Sequence, residues 1–147
     1  MKLGDLLNTK DFKYRVTISV GPNETVQAAV NKMAEHDKGS LAVCDDEGKL
    51  VGIITERDIV RKCSTSGKTL DKIKIQDVMT RKVVIGNQDD DLSYAISMMK
   101  EQRIRHIPIV DDQKKVIGII SMRDLLGVRL EQCETEVRFL TDYISGG

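Results

Sequence analysis

The chain lacks the features that mark secreted, membrane-spanning or strongly charged proteins. Its 147 residues carry 23 basic and 23 acidic side chains, so the formal net charge is zero. This balance argues against a nucleic-acid-binding protein held by bulk electrostatics, which usually shows a basic face or tail. No apolar run approaches the roughly 18–20 residues that a membrane span needs. The first seven residues include Asp5 and contain no signal-peptide core, so we expect a cytoplasmic protein unless a targeting segment was removed.

Cysteine is also scarce. The three cysteines, Cys44, Cys63 and Cys133, are widely spaced and form no C-x-x-C motif. An odd number at such spacing does not indicate a disulfide framework. Reduced, mostly buried thiols in a reducing compartment are one interpretation. A thiol that responds to the redox state is the alternative that the sequence leaves open.

The sequence also lacks the usual signatures of an enzyme. It contains no nucleophile with a paired base, no cluster of metal ligands and no P-loop. The acidic pairs at 45–46 and 111–112 fall in predicted hairpin turns, where aspartate is common because it bonds to the local backbone. We therefore expect a protein without catalytic activity, catalytic cofactor or bound metal.

What the chain does contain is an internal repeat. Residues 52–58 (GIITERD) recur as residues 118–124 (GIISMRD), an offset of 66 residues from 52 to 118. The same offset pairs Ala29 with Ala95 and Met33 with Met99. A repeat determines the whole fold prediction, and two copies are too few for a solenoid. We predict two half-domains about a pseudo-twofold axis, so that a site in one copy has a twin in the other.

Each copy has the pattern strand, helix, strand, strand, helix. Short β-branched runs predict strands, and apolar residues at i, i+3, i+4 and i+7 predict helices. In the first helix either Asn23 or Thr25 can supply the cap, and Gly39 should end it. The predicted strands are 16–20, 40–44 and 49–54 in the first copy and 83–85, 106–110 and 116–120 in the second.

The C-terminal segment has no counterpart in the repeat. Leu130, Cys133, Val137, Leu140 and Ile144 step by three and four residues, as a and d positions of a coiled coil do. This apolar face can pack on its own domain or pair with a second subunit, and the sequence leaves both open. The predicted organisation is a first copy with its lead-in at 1–66, a linker at 67–75, a second copy at 76–128 and a C-terminal amphipathic helix at 129–147.

The repeated Gly-x-Ile-Thr/Ser-x-x-Asp motif, with the stretch RIRHIP at 103–108, resembles a tandem pair of cystathionine β-synthase (CBS) domains, or Bateman module. The resemblance runs from about residue 3 to 126, and the chain is similar to small stand-alone CBS-pair proteins of bacteria and plants. It implies an α/β (α+β) fold of two β-α-β-β-α motifs plus a C-terminal helix. It also implies a homodimer and adenosyl-ligand binding between the copies.

The repeated motif has suitable chemistry for such a ligand. Asp58 and Asp124 can each accept hydrogen bonds from the two hydroxyls of a ribose. Each follows a hydroxyl at a helix start, Thr55 or Ser121, where free N–H groups favour a phosphate. Capping alone also explains Thr, Ser and Asp at these positions, although the duplication favours binding. Two neighbouring arginines, Arg57 and Arg123, can add charge-assisted contacts to a phosphate.

The resemblance adds further ligand-binding candidates from the strand edges. Lys38, Gly39 and Ser40 occupy the place of Ile104, Arg105 and His106, so the two sites should differ in affinity or ligand. The remaining candidates are Thr17, Ile18, Val83, Val84 and Pro108, the last shaping the strand edge.

The function implied is a regulatory sensor that binds AMP, ADP, ATP, NAD(H) or S-adenosylmethionine and changes a protein partner or its own oligomeric state. The alternative is a non-catalytic interaction module with vestigial clefts, whose cysteines would link it to the redox state. A vestigial site should, however, have lost Asp58 or Asp124.

Overall fold

A computed structural model describes residues 1–144 of the chain. Two helix-covered β-hairpins, one from each copy, are its main components. The helices are α1 Leu3–Leu7, α2 Lys10–Lys13, α3 Val26–His36, α4 Glu56–Asp58, α5 Leu92–Gln102 and α6 Met122–Ile144, and a π-helical turn, Ile59–Cys63, continues α4. The strands are β1 Ser19–Val20, β2 Ser40–Cys44, β3 Leu50–Thr55, β4 His106–Val110 and β5 Val116–Ser121.

The helix α3 begins and ends for local reasons. Of the two predicted N-cap residues, Thr25 caps the helix, because its side chain accepts a hydrogen bond from Ala28 N at 3.1 Å. The helix ends at His36 because Asp37 adopts a left-handed conformation with φ 52°. The prediction that Gly39 ends this helix is therefore wrong, since an aspartate stops it first. Arg103, the twin of Asp37, ends α5 in the same way with φ 56°.

Both predicted hairpins form. The strands β2 and β3 pair antiparallel, as do β4 and β5, and each ladder places a Gly opposite the fourth residue of the first strand. In the turns, Asp45 Oδ1 accepts from Lys49 N at 2.9 Å and Asp111 Oδ1 accepts from Lys115 N at 2.9 Å. These bonds confirm that the two aspartates stabilise the turn backbone.

The first strand of each copy is shorter than predicted. Only Ser19–Val20 of the predicted strand 16–20 pairs, in parallel with β2. The predicted strand 83–85 does not form; Gly86, beside it, makes an isolated bridge to Ile109. The space beside Gly86 is filled by other side chains, since a Cβ there would lie 2.9 Å from Leu3 Cδ1. The backbone bonds to β4 are made by Gly86, whose N–H donates to Pro108 O at 2.9 Å and whose carbonyl accepts from Val110 N at 3.0 Å.

Each copy is covered by the lead-in of the other. Leu3 and Leu6 of α1 are buried in the core of the second copy, while Ile75 and Val78, which lead into the second copy, are buried in the core of the first. The hairpins also meet where Lys49 pairs with its own twin, Lys115. The pseudo-twofold axis expected from the repeat passes between these two lysines.

The last helix, α6, is continuous from Met122 to Ile144. It joins the predicted final helix of the second copy to the predicted C-terminal helix, whose residues 145–147 lie outside the described part of the chain. Within residues 122–144 of this helix, Leu125 is the single buried residue. Among residues 1–144, no helix is both long and apolar enough to cross a membrane.

Candidate functional site

Two clefts lie between the copies, and each takes one wall from each copy. Cleft A has a volume of about 640 Å³ and cleft B about 480 Å³. The first copy's strand edge therefore faces the second copy's Ser-x-x-Asp motif, and the reverse holds in the other cleft. Of the predicted residues, cleft A is lined by Thr17, Ile18, Lys38, Gly39, Ser40, His106, Ser121, Arg123 and Asp124, and cleft B by Gly39, Thr55, Arg57, Asp58, Val83, Val84, Ile104, Arg105 and His106.

Both motif aspartates cap the helix that follows and keep one oxygen for another partner. Asp58 Oδ2 accepts from Thr55 N at 3.1 Å, and Asp124 Oδ2 accepts from Ser121 N at 2.9 Å. The hydroxyl of each motif in turn accepts from the aspartate N–H at 3.1 Å. These reciprocal bonds are a capping box. Because capping uses Oδ2, it leaves Oδ1 of each carboxylate facing other groups.

The Oδ1 atoms have different partners in the two clefts. Asp58 Oδ1 accepts from Thr80 Oγ1 at 3.3 Å and lies 3.5 Å from Lys62 Nζ. Asp124 Oδ1 accepts from Arg15 Nη1 at 3.2 Å. The twin sites thus share a backbone arrangement but differ in the cation that faces the carboxylate.

Each cleft has a positive lining although the whole chain is neutral. In both clefts four Lys or Arg side chains accompany two carboxylates. Such a lining attracts an anionic ligand by ordinary Coulomb forces, which low-dielectric walls strengthen. The cations are Lys13, Arg15, Lys38 and Arg123 in cleft A, with Asp37 and Asp124, and Arg57, Lys82, Arg103 and Arg105 in cleft B, with Glu56 and Asp58.

Comparison with known families confirms the resemblance found in the sequence. The family model for the CBS domain matches residues 4–65 and again residues 75–131. The chain belongs to the CBS-domain family. The two matches coincide with the two halves of the internal repeat, so the protein carries a pair of CBS motifs.

The curated relatives include an enzyme and a CBS domain-containing protein. The chain is 42% identical over 109 residues to inosine-5'-monophosphate dehydrogenase of Methanocaldococcus jannaschii, covering 74% of this chain and 21% of that one. It is 35% identical over 129 residues to the mitochondrial CBS domain-containing protein CBSX3 of Arabidopsis thaliana, covering 85% and 62%. The chain spans about a fifth to two thirds of the length of the first curated relatives it matches.

A solved structure has a similar fold and holds ligands. The CBS domain pair of protein MJ0100, in complex with 5-methylthioadenosine and S-adenosyl-L-methionine, matches with a TM-score of 0.77 and 26% identity. The match covers 90% of this chain and 98% of that chain. The α/β fold of a CBS pair with a C-terminal helix is thereby confirmed.

The two clefts of this CBS pair share a wall. Gly39 and His106 line both, and a Cβ on Gly39 would lie 3.7 Å from His106 Cε1. Burial lowers the pKa of His106, while the carboxylates of Asp124 and Glu56 oppose the shift and the Arg105 guanidinium adds to it. His106 therefore stands between an acid of cleft A and an acid of cleft B.

The structure adds cleft residues that the sequence did not predict. Arg15 enters cleft A, and Thr80 and Lys82 enter cleft B. The left-handed residues Asp37 and Arg103 line one cleft each. They stand 66 residues apart, so the repeat offset could have identified them as an equivalent pair of cleft residues. In contrast, Pro108 lines neither cleft: its side chain is fully buried, and its carbonyl accepts from Gly86 N at 2.9 Å.

The cysteines are free thiols in the described part of the chain, with Cys63 buried, Cys44 half-buried and Cys133 exposed. Burial raises the pKa of the Cys63 and Cys44 thiols, so both are poorer sources of thiolate than an ordinary cysteine. Among residues 1–144, no group of three or more His, Cys, Asp or Glu side chains is placed to hold a metal ion.

Proposed function

We propose that the protein is a regulatory sensor that binds an adenosyl ligand in clefts A and B. The observation that carries the proposal is the exchange of walls. Each cleft sets the Thr/Ser-x-x-Asp motif of one CBS motif against the strand edge of the other, and this happens twice. A structural cap has no need of a facing cleft, so capping alone does not account for the arrangement.

The chemistry of each cleft suits the parts of a nucleotide. Oδ1 of Asp58 or Asp124 can accept from ribose hydroxyls while Oδ2 continues to cap the helix. Arg57, Arg105 and Arg123 line the clefts and can bind a phosphate with charge-assisted hydrogen bonds. Ile18 in cleft A and Val84 in cleft B offer apolar side chains to a base. The ligands held by the CBS pair of MJ0100 support the adenosyl class.

Binding would act by shifting a conformational equilibrium, which requires different ligand affinities in the two states. The clefts lie between the two CBS motifs, so a ligand that contacts both walls binds best when the motifs have one particular separation. We propose that this selection regulates a protein partner or the association of two copies. A regulatory rather than catalytic role also fits a relative such as the dehydrogenase, of which the CBS pair is one part. We expect action in the cytoplasm or in an organelle such as that of CBSX3.

Isothermal titration calorimetry tests the proposal with AMP, ADP, ATP, NADH and S-adenosylmethionine. Before the titration, a separate sample of the protein is denatured, and its supernatant is checked for co-purified nucleotide by absorbance and mass spectrometry. Saturable binding at one or two sites per chain is expected. If the ligand-free protein shows no heat with the whole panel, the sensor proposal fails and the interaction module with vestigial clefts takes its place.

A further inference from the structure

The helix α6 carries an unbroken apolar stripe that the other described residues, within 1–144, leave uncovered. The stripe repeats at steps of four and three residues, which is the a and d pattern of a coiled coil. Leu130 is 60% exposed, Leu140 56% and Ile144 81%, so the stripe faces away from the CBS body. Its members are Leu126, Leu130, Cys133, Val137, Leu140 and Ile144, which we call the α6 stripe.

Within residues 1–144, the geometry of α6 gives the stripe no surface of its own chain to pack on. The helix is anchored by Leu125, which is fully buried beneath α5 and β5. Beyond Val128 it continues for 16 residues, from 129 to 144, without another buried residue. That length is about 24 Å of exposed helix at 1.5 Å per residue. An anchored helix of this kind can pair without first having to nucleate.

We propose that the α6 stripe pairs with the α6 stripe of a second copy of this chain, in parallel. The charges beside the stripe determine the orientation. If Leu130 is an a position, Arg129 is a g position and Glu134 is an e position. In a parallel pair these two residues face each other across the interface, and twofold symmetry makes the contact twice.

The antiparallel alternative is less favourable. The antiparallel alignment that pairs all six positions of the stripe sets Glu134 against Glu134 of the other copy. It does the same with Glu136. Like charges facing each other across a helix pair weaken it, as they do on one helix face. The parallel pair avoids both contacts, since Glu136 there faces the uncharged Thr141.

This inference does not depend on nucleotide binding in clefts A and B. A protein whose clefts are empty would still pair through α6, and a nucleotide sensor could fail to pair. The two proposals can therefore fail separately.

Sedimentation velocity over a concentration series tests the pairing. We expect the full chain to sediment as a dimer and Leu140→Glu to raise the dimer dissociation constant at least about a hundredfold, because two apolar contacts are lost. The matched control is Phe139→Glu, which alters a neighbouring exposed apolar residue, 70% exposed, outside the stripe. A monomeric wild type, or a Leu140→Glu dimer as tight as the control, would overturn the proposal.

Cross-linking tests the orientation. In a Cys133→Ser background, Leu140→Cys should give a covalent dimer on oxidation with diamide, because a parallel pair sets the two introduced thiols side by side. In the full antiparallel alignment those thiols are ten residues apart, about 15 Å along the axis. Cross-linking only in mixtures of Leu130→Cys with Leu140→Cys chains would overturn the parallel arrangement, as would no cross-linking at all.

A charge exchange provides an independent check. Arg129→Glu and Glu134→Arg should each weaken the dimer by about threefold, as for an exposed ion pair, and the double exchange should restore it. Arg138→Glu, at an outer position of α6, is the control and should leave the dimer unchanged. Failure of the double exchange to restore the affinity would contradict the facing of residues 129 and 134.

Discussion

Arg15 and Asp124 form an ion pair across cleft A, with Nη1 3.2 Å from Oδ1, although 109 residues separate them in the chain. The guanidinium lies 3.9 Å from the centre of the Phe12 ring, and its Nε donates to the carbonyl of Asp11 at 2.9 Å. The segment that holds it includes α2, which has no counterpart before the second copy. The insertion therefore gives Asp124 a cation from outside the repeat, whereas the cation beside Asp58 is Lys62 of the first copy itself.

Arg15 should lower the affinity of cleft A for a ribose, because it occupies the oxygen that the ribose hydroxyls need. Arg15→Gln is expected to tighten AMP binding in cleft A by up to about fivefold, the value of an ion pair of this exposure. Calorimetry in an Asp58→Asn background isolates cleft A. Weaker binding by Arg15→Gln would show instead that the guanidinium contacts the ligand.

Asp58→Asn and Asp124→Asn should each remove one adenosyl site and leave the other. Loss of two charge-assisted hydrogen bonds should weaken the altered site at least about tenfold. The asparagine keeps an oxygen for the cap, whereas Asp58→Ala and Asp124→Ala lose it and also cost about 0.5–2 kcal/mol of stability. Calorimetric stoichiometry falling from two sites to one checks the prediction. If all four variants bind like the wild type, the ribose is not held by these carboxylates.

His106 should make the protein less stable in acid. Its pKa in the folded state is lowered by burial, so between that value and the ordinary value of about 6.5 the unfolded chain binds more protons. Stability therefore rises with pH through this window, and it is lost as the pH falls through the window from about 6.5 towards the lower pKa of the folded state. His106→Ser, which copies the twin residue Ser40, should reduce the difference in urea midpoint between pH 5.0 and pH 7.5. An identical difference in both proteins would assign the acid sensitivity to other groups.

Gly52 and Gly118 are twins that should differ in their tolerance of a side chain. A Cβ on Gly52 would lie 2.7 Å from Met79 Sδ and 3.0 Å from the Thr80 carbonyl oxygen, whereas one on Gly118 would meet the end of Leu7 at 2.9 Å. Backbone yields less readily than a leucine methyl group. Gly52→Ala should therefore cost about 1–3 kcal/mol by overpacking and Gly118→Ala less, measured by urea unfolding.

Gly127 supplies the control for this pair. It lies within α6, and a Cβ there meets no described atom within 4 Å. Gly127→Ala should stabilise the protein by about 0.5–1 kcal/mol, because alanine loses less backbone entropy in a helix. Equal losses in Gly52→Ala and Gly118→Ala would contradict the difference between the two contacts.

The repeat carried most of the fold prediction. The short β-branched runs of the hairpin strands, the stripe of Val26, Ala29 and Met33, and the aspartates of both turns depend on local interactions that a sequence displays directly. The predicted length of the first strand in each copy was wrong, and the reason is not local. Whether residues 83–85 pair depends on how the chain approaches β4, and the residue that bonds to β4 there is Gly86.

The sequence by itself determined that two similar units exist and that each begins a helix with a hydroxyl and an aspartate three residues apart, because a capping box is made within four residues of chain. Only the tertiary structure decided what faces those aspartates. The second copy's Asp124 lies across from Thr17 and Ile18 of the first, and Arg15 reaches it from the inserted lead-in. Such contacts depend on the exchange of lead-ins about the pseudo-twofold axis, in which residues far apart in the chain are brought together by burial of apolar surface.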